Sequence, residues 1–314
     1  MPGVVKLAFE LNGVRVEDTF AEAFRLWVSR LIITAKNERW ARIAAQTMTG
    51  FATSIIMCGC EAGIECELSP EETPDGRPGV SVLVFTGRKD MEDQLLRRVG
   101  QCVLTSPTSA VYNGIPLEEA EDAVSLGGRL RFFGDGYQRK VRLGDGLGAK
   151  RRLWRIPVME GEFLVEDKFG MKRGVAGGNF IILGRDVDSA LEASERAVRA
   201  IEPLRGVITP FPGGVCRSGS KVGSRYKFLR ASTNTPLCPT LRGEVPDTQV
   251  PEGVGSVFEV VINGVDLESV KRAMAVGIRE AVKVDGVVGI TAGNYGGRLG
   301  KYLIYLKECL GVEA

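Results

Sequence analysis

The feature that most constrains this chain is that it uses one pattern twice. "VEDTF" at 16–20 returns as "VEDKF" at 165–169, and "LIIT" at 31–34 returns as "FIIL" at 180–183, both displaced by 149 positions. Further on, "VFTGRKDMEDQLLRRVGQCV" at 84–103 aligns with "VINGVDLESVKRAMAVGIRE" at 261–280, displaced by 177. Self-similarity of this kind commits both halves to one order of elements. The larger second displacement gives the second half the longer middle loop. The 314 residues suffice for two domains, here lobes 1–158 and 159–314.

In the first half, Leu31–Thr34 reads as a strand, and Trp40, Ile43, Ala44 and Thr47 share one helical face. Thr53–Met57 reads as a short strand and Val80–Phe85 as another. A helix follows from the cap Asp90, with Met91, Leu95, Val99 and Cys102 as its stripe, and Arg129–Phe133 is the expected last strand. The second half repeats the order. Phe180–Leu183 is a strand, and a helix from Asp188 to Ile201 turns Leu191, Ser194, Val198 and Ile201 inward. Strands at Val207–Thr209 and Val257–Ile262 precede a helix bearing Val270, Met274, Gly277, Ile278 and Ala281, and strands near Gly289–Thr291 and Tyr302–Leu306 end the chain. Each half is thus βαβ followed by βαβ, an α+β fold of duplicated ferredoxin-like lobes with loop insertions. Thr19 and Glu22 form a capping-box pattern ahead of Phe24, Trp27 and Val28, which predicts an extra helix before the first half.

One letter disagrees with its surroundings. In "SVFEVVINGV" at 256–265, Glu259 sits among Val257, Phe258, Val260, Val261 and Ile262. A carboxylate is rarely left in such company without a partner or a task. The 177 displacement matches Glu259 with Val82, so the strand does not need the glutamate.

Composition removes many chemistries. The chain has no histidine, which excludes Ser-His and Cys-His relays and histidine-ligated metals. Acid–base work falls to Asp, Glu, Lys, Tyr, Cys or the substrate. A net charge of +2 gives no global reason to expect nucleic acid or an anionic membrane, and the aromatic pattern of an RNA-binding sheet is missing. No apolar run approaches the ~20 residues of a membrane span, and "MPGVVKLAFELNG" carries no export signal. The seven cysteines are expected as reduced thiols, and Cys58, Cys60 and Cys66 do not have a zinc spacing.

Glycines cluster in the second half, at "GVAGGNF" (174–180), "PFPGGVCRSGSKVGS" (210–224) and "TAGNYGGRLG" (291–300). They suit tight turns or a ligand's approach to bare amides, and none is a Walker or dinucleotide motif. A long polar segment from Gly223 to Gly255 precedes the strand of Glu259, and Lys221 just ahead of it, with Arg225, Lys227 and Arg230 within it, suits either a solvated face or an anion-binding rim. "RKVRLGDGLGAKRRLWR" (139–155) reads as a basic surface hairpin and "SPEETPDGRPG" (69–79) as a rigid solvent loop rather than a metal site.

These motifs also occur together in a known order. "VEDTFAEAF", "TGFATSIIMC", "EAGIECELSPEETPDGRPGV", "GQCVLTSPTSA", "FFGDGYQ", "GEFLVEDKFG", "GVAGGNF", "PFPGGV", "SKVGS", "ASTN", "CPT", "VINGV" and "AGNYGGRLG" span almost the whole chain. With them the chain resembles the formylmethanofuran–tetrahydromethanopterin formyltransferase family. "CGC" at 58–60 and "CRSGSK" at 216–221 depart from the family's pattern, which bears on carrier preference more than on reaction class.

The resemblance implies a cytoplasmic enzyme of one-carbon metabolism that moves a formyl group between methanofuran's amine and N5 of tetrahydromethanopterin. It implies a homotetramer with its cleft near a subunit interface, no metal or prosthetic group, and methanofuran and tetrahydromethanopterin as carrier substrates. The family's catalytic carboxyl falls on Glu259, which burial would keep protonated as acid and oxyanion partner. Asn179, Ser218, Lys221, Ser232, Thr233, Asn234 and Asn294 are the cleft candidates, and Lys221 and Arg225 would face the carriers' acidic tails. Two other readings are a subunit of a bacterial-type formyltransferase/hydrolase complex and a non-enzymatic carrier-binding ferredoxin-like module.

Overall fold

The computed structural model describes residues 7–144 and 150–312. The chain forms two compact units, one of Leu26–Gly174 and one of the flanking segments up to Arg25 and from Val175. The boundaries fall inside two long strands, Phe20–Thr34 and Phe169–Gly184.

In the Leu26–Gly174 unit, strands Phe20–Thr34, Glu61–Leu68, Gly79–Thr86 and Ala110–Asn113 alternate with helices Glu38–Thr49 and Met91–Arg98. Their spatial order is 61–68, 79–86, 20–34, 110–113, fixed by Ile64↔Val82, Leu31↔Val82 and Ile33↔Val111. Gly79–Thr86 is buried at every position, which is why apolar residues appear on both of its faces. Ala41, Ala44, Ala45 and Met48 of the first helix and Met91 and Leu95 of the second close over Leu31, Ile33, Val82 and Val84. A hairpin of Lys150–Val158 and Gly161–Glu166 extends this sheet, pairing in parallel with Ala110–Asn113.

The other unit repeats the plan. Phe169–Gly184, Val207–Ile208, Ser256–Gly264 and Val287–Thr291 alternate with helices Val187–Ile201 and Leu267–Ala281. The order is 207–208, 256–264, 169–184, 287–291, with registers Val207↔Gly264, Phe180↔Val260 and Ile182↔Ile290. Both helices start at an aspartate cap whose side chain accepts a backbone N–H, Asp186 from Ser189 and Asp266 from Ser269. Gly277 lets the second helix close on the sheet, since a Cβ there would lie 2.8 Å from the Phe180 ring. Val14–Glu17 adds in parallel beside Val287–Thr291, and Tyr302–Tyr305 pairs with the first residues of Phe20–Thr34.

Several expectations fail. The helix predicted over Thr19–Val28 is instead the start of the Phe20–Thr34 strand. Neighbouring strands pair with it along its length, and the carboxylate of Glu22 is engaged by a loop, so no capping box forms. Thr53–Met57 is not a strand; Ile55–Cys58 makes one helical turn capped by Ser54, and the strand lies at Glu61–Leu68. Arg129–Phe133 is not a strand either. Leu126–Leu130 and Arg131–Gly134 are helical turns, Gly127 packing where a Cβ would lie 2.2 Å from the Glu166 carbonyl oxygen, and the last strand is Ala110–Asn113. Small residues decide two helix faces: alanines turn in while Thr47 and Leu191 stay exposed.

The repeat needs a one-residue correction. Leu31 faces Val82, and Phe180, its counterpart by the 149 displacement, faces Val260. Glu259 therefore corresponds to Ser81, not Val82. A slip of one residue moves a side chain to the opposite face of a sheet, and Ser81 is itself a buried polar residue, donating to Glu65 at 2.6 Å. The 69–79 loop is a rigid turn, with Asp75 accepting from Thr34, Arg77 and Tyr112. The basic hairpin forms by pairing of Arg139–Gly144 with Lys150–Val158, its tip at 145–149 lying outside the described residues. Among the described residues, no helix is long and apolar enough to cross a membrane.

Candidate active site

Side chains alternate across the Ser256–Gly264 strand. Val260 and Ile262 point into the core beneath the two helices. Glu259 and Val257 point to the other face, where Ile181, Leu183, Leu237, Val250 and Val254 form a smaller apolar cluster with Val257. The long segment between Val207–Ile208 and Ser256–Gly264 covers this face. It is pinned beside Glu259 by two backbone hydrogen bonds, Cys216 N–H to the Glu259 carbonyl at 2.8 Å and Glu259 N–H to the Cys216 carbonyl at 3.0 Å.

The covered face holds a small cleft, partly open to solvent. Glu259 lies in its wall with Cys216, Arg217, Ser218, Thr233 and Asn234. The glutamate is 2% exposed. Its Oε2 accepts the Ser220 N–H at 2.6 Å, while its Oε1 is buried with no hydrogen-bond partner. Burial is the dominant influence and pushes the carboxyl from 4.5 up to about 7, against the opposing pull of Ser220. Near neutrality the group is divided between acid and carboxylate. As the acid it carries a proton and has one buried oxygen without a hydrogen-bond partner. The Cys216 thiol, 3.4 Å from the Ser218 hydroxyl, is pushed up by burial, which disfavours its thiolate.

The fold gathers three of the sequence candidates at this cleft: Ser218, Thr233 and Asn234. Their loops are tied together, Asn234 N–H and Thr233 Oγ1 both donating to the Ser218 carbonyl. Lys221 sits one residue beyond Ser220, its ammonium donating to Thr235 at 2.8 Å. Ser232 faces Lys221 in the small pairing of Lys221–Val222 with Ala231–Ser232, and its hydroxyl donates to the Gly223 carbonyl. Arg225 is exposed on the connection between those two strands. Asn179 is a buried brace whose amide joins Gly293 N–H and the Gly177 carbonyl. Asn294 is exposed, donating to Thr19 and accepting from Gly296 N–H. Asn179, Lys221, Arg225, Ser232 and Asn294 do not line the cleft.

Two participants escape a reading of the sequence. Ser220 acts through its peptide, which no side-chain motif advertises. Tyr295, whose hydroxyl donates to the Ser220 carbonyl, sits in a glycine-rich loop 75 residues further along the chain. Among the described residues, no group of three or more Cys, Asp or Glu is placed to hold a metal ion.

Comparison with known proteins places the chain in a family. Residues 9–158 match the family "Formylmethanofuran-tetrahydromethanopterin formyltransferase", and residues 161–309 match "FTR, proximal lobe". The chain is 54% identical over 303 residues to the formylmethanofuran–tetrahydromethanopterin formyltransferase of Methanocaldococcus jannaschii, covering 95% of this chain and 99% of the relative. It is 52% identical over 301 residues to that of Archaeoglobus fulgidus, with the same coverage. The structure superposes on the Methanosarcina barkeri formyltransferase with a TM-score of 0.89, at 51% identity and covering 96% of this chain and 100% of that one. It also superposes on a chain of the formyltransferase/hydrolase complex from Methylorubrum extorquens, solved with methylofuran, with a TM-score of 0.93, at 48% identity and covering 97% and 99%. The chain belongs to the formylmethanofuran–tetrahydromethanopterin formyltransferase family.

Proposed function

We propose that this protein is an enzyme that transfers a formyl group between formylmethanofuran and N5 of tetrahydromethanopterin, directly and within a ternary complex. The observation that carries the reading is Glu259: a carboxyl held near neutral pKa in a cleft wall with one unpartnered oxygen. In the forward direction the N5 lone pair attacks the formyl carbon, a C–N bond forms, and the carbonyl π electrons move to oxygen. The Glu259 acid donates a hydrogen bond to that oxygen. As the tetrahedral species collapses, the bond to the methanofuran nitrogen breaks. The leaving amine takes up a proton through Glu259, and the proton released at N5 restores the acid. Ser218, Thr233 and Asn234 orient the carriers, with Lys221 and Arg225 as an anion-binding rim and Asn179, Ser232 and Asn294 supporting the surrounding loops. The carriers are substrates, and this chemistry uses no prosthetic group.

The wider reading is a cytoplasmic homotetramer of two ferredoxin-like lobes, 1–158 and 159–314. The shared βαββαβ order and the equal strand arrangement of the two units support the duplication. The similarity to the Methylorubrum extorquens chain favours a second setting, a subunit of a formyltransferase/hydrolase complex; co-purification with larger partners would select it. The direct test mixes purified protein with formylmethanofuran and tetrahydromethanopterin and follows the formylated pterin. Sustained turnover is expected. Binding of both carriers without transfer would replace the enzyme with a carrier-binding module.

A further inference from the structure

A second carboxylate is linked to this site without lining the cleft, and its hydrogen bonds among the described residues all come from backbone N–H groups. Glu22 is wholly buried in the Phe20–Thr34 strand, its position set by the pairing Leu303↔Glu22. Its Oε1 accepts the N–H groups of Tyr295 and Gly297, each at 2.6 Å, and its Oε2 those of Leu299 at 2.9 Å and Gly300 at 2.7 Å. Burial alone opposes its ionisation, but the four donors together outweigh it and hold the carboxyl below its usual range. Glu22 is therefore an ionised anchor inside a backbone loop.

The loop is also held by Asn179, which accepts the Gly293 N–H, and by Asn294, which donates to Thr19 and accepts the Gly296 N–H. No helix or strand forms between Thr291 and Tyr302, and Gly296 and Gly297 take left-handed φ values of 75° and 72°. A Cβ on Gly300 would lie 2.8 Å from the Cβ of Glu22, so glycine is needed for this close approach. What the anchored loop delivers is Tyr295. Its hydroxyl donates to the carbonyl of Ser220, and the N–H of the same residue donates to Glu259 Oε2 at 2.6 Å. Ser220 lies in irregular chain next to Gly219, at φ 71°. Ser220 is thus held through its two flanking peptides, its carbonyl by Tyr295 and its N–H by Glu259.

We propose that Glu22 is a positioning residue for Glu259, acting through the loop it anchors, the Tyr295 hydroxyl and the backbone of Ser220. This rests on the reading of Glu259 as the acid in formyl transfer. A negative charge fully occupied by backbone donors fixes a loop more tightly than neutral hydrogen bonds would. The fixed loop orients Ser220, whose N–H donates to Glu259. The titratable groups that feel Glu259 are the Cys216 thiol and the Tyr295 phenol; Tyr295 also feels Glu22, and the exposed Arg217 lines the same cleft.

The test uses Tyr295→Phe, which removes one oxygen, beside Glu22→Gln, whose amide would point an NH2 at the N–H groups of Leu299 and Gly300. Freeing the Ser220 backbone weakens its bond to the ionised Glu259, so the alkaline limb of the kcat/KM profile should move up by roughly half a pH unit in Tyr295→Phe. kcat should fall about tenfold with little change in KM, as expected for lost orientation. Glu22→Gln should change both quantities in the same direction and by more. A carrier-free readout separates this inference from the proposed reaction: the infrared band of the protonated Glu259 carboxyl, assigned as the band that Glu259→Gln removes, should titrate at higher pH in Tyr295→Phe. An unmoved band and an unmoved profile in Tyr295→Phe would overturn the proposal, as would a Glu22→Gln protein altered only in stability.

Discussion

Replacing Glu259 with glutamine should change how stability depends on pH, and the structure sets the size of the effect. The carboxyl titrates near 4.5 when exposed and at about 7 when folded. At ~1.4 kcal/mol per pH unit, that gap corresponds to roughly 3 kcal/mol. The sign follows from which state holds the proton more tightly, and here it is the folded one. The contribution is fully present below 4.5 and is lost as pH rises through about 7. Glutamine keeps the shape and an acceptor for Ser220 N–H but never ionises. Urea midpoints of both proteins, measured at pH 5 and pH 8 at one protein concentration, give the comparison. The variant should gain roughly 2–3 kcal/mol relative to wild type between the two pH values. A difference that does not vary with pH would refute the reasoning, because it would mean that the fold does not raise the Glu259 pKa.

Other consequences follow from the packing and the site. Gly277→Ala should lower stability by about 1–3 kcal/mol in thermal denaturation, because the clash with the Phe180 ring outweighs the gain in helix propensity. Asp266→Ala should cost about 1 kcal/mol in the same assay by leaving the Ser269 N–H without its cap. Asn234→Ala should raise the KM for a carrier several-fold in steady-state kinetics with kcat less affected, since the residue lines the cleft but makes no contact with Glu259 among its known hydrogen bonds.

Strong periodicity made much of the frame legible in advance. The helices beginning near Asp188 and at Leu267 announce themselves by their apolar stripes, and the buried strands at Gly79–Thr86 and Ser256–Gly264 by largely apolar runs. Short segments misled. "TFAEAFRLWV" fits a capped helix locally, but pairing on the sheet and the capture of Glu22 by a loop decide it as strand. The same misreading hid Glu22, although its signal, one carboxylate in an apolar run, is the signal that exposed Glu259. The repeat identified the strand of Glu259 but misassigned its counterpart by one residue, because identity matches cannot see strand register. Ser220 was beyond reach for a different reason: its role belongs to its peptide group, and only the folded loop brings it to the carboxyl.

The central claim is that Glu259 works as a protonated acid. Formyl transfer measured across pH for wild type and Glu259→Gln, as kcat/KM with formylmethanofuran and tetrahydromethanopterin, tests it most directly. Titration of the carriers is common to both proteins and cancels in their ratio. The account predicts a loss of ~10²-fold or more in the variant at pH 6, and a ratio that shrinks above pH 7 as wild-type Glu259 ionises. Equal rates for the two proteins across that range would contradict it.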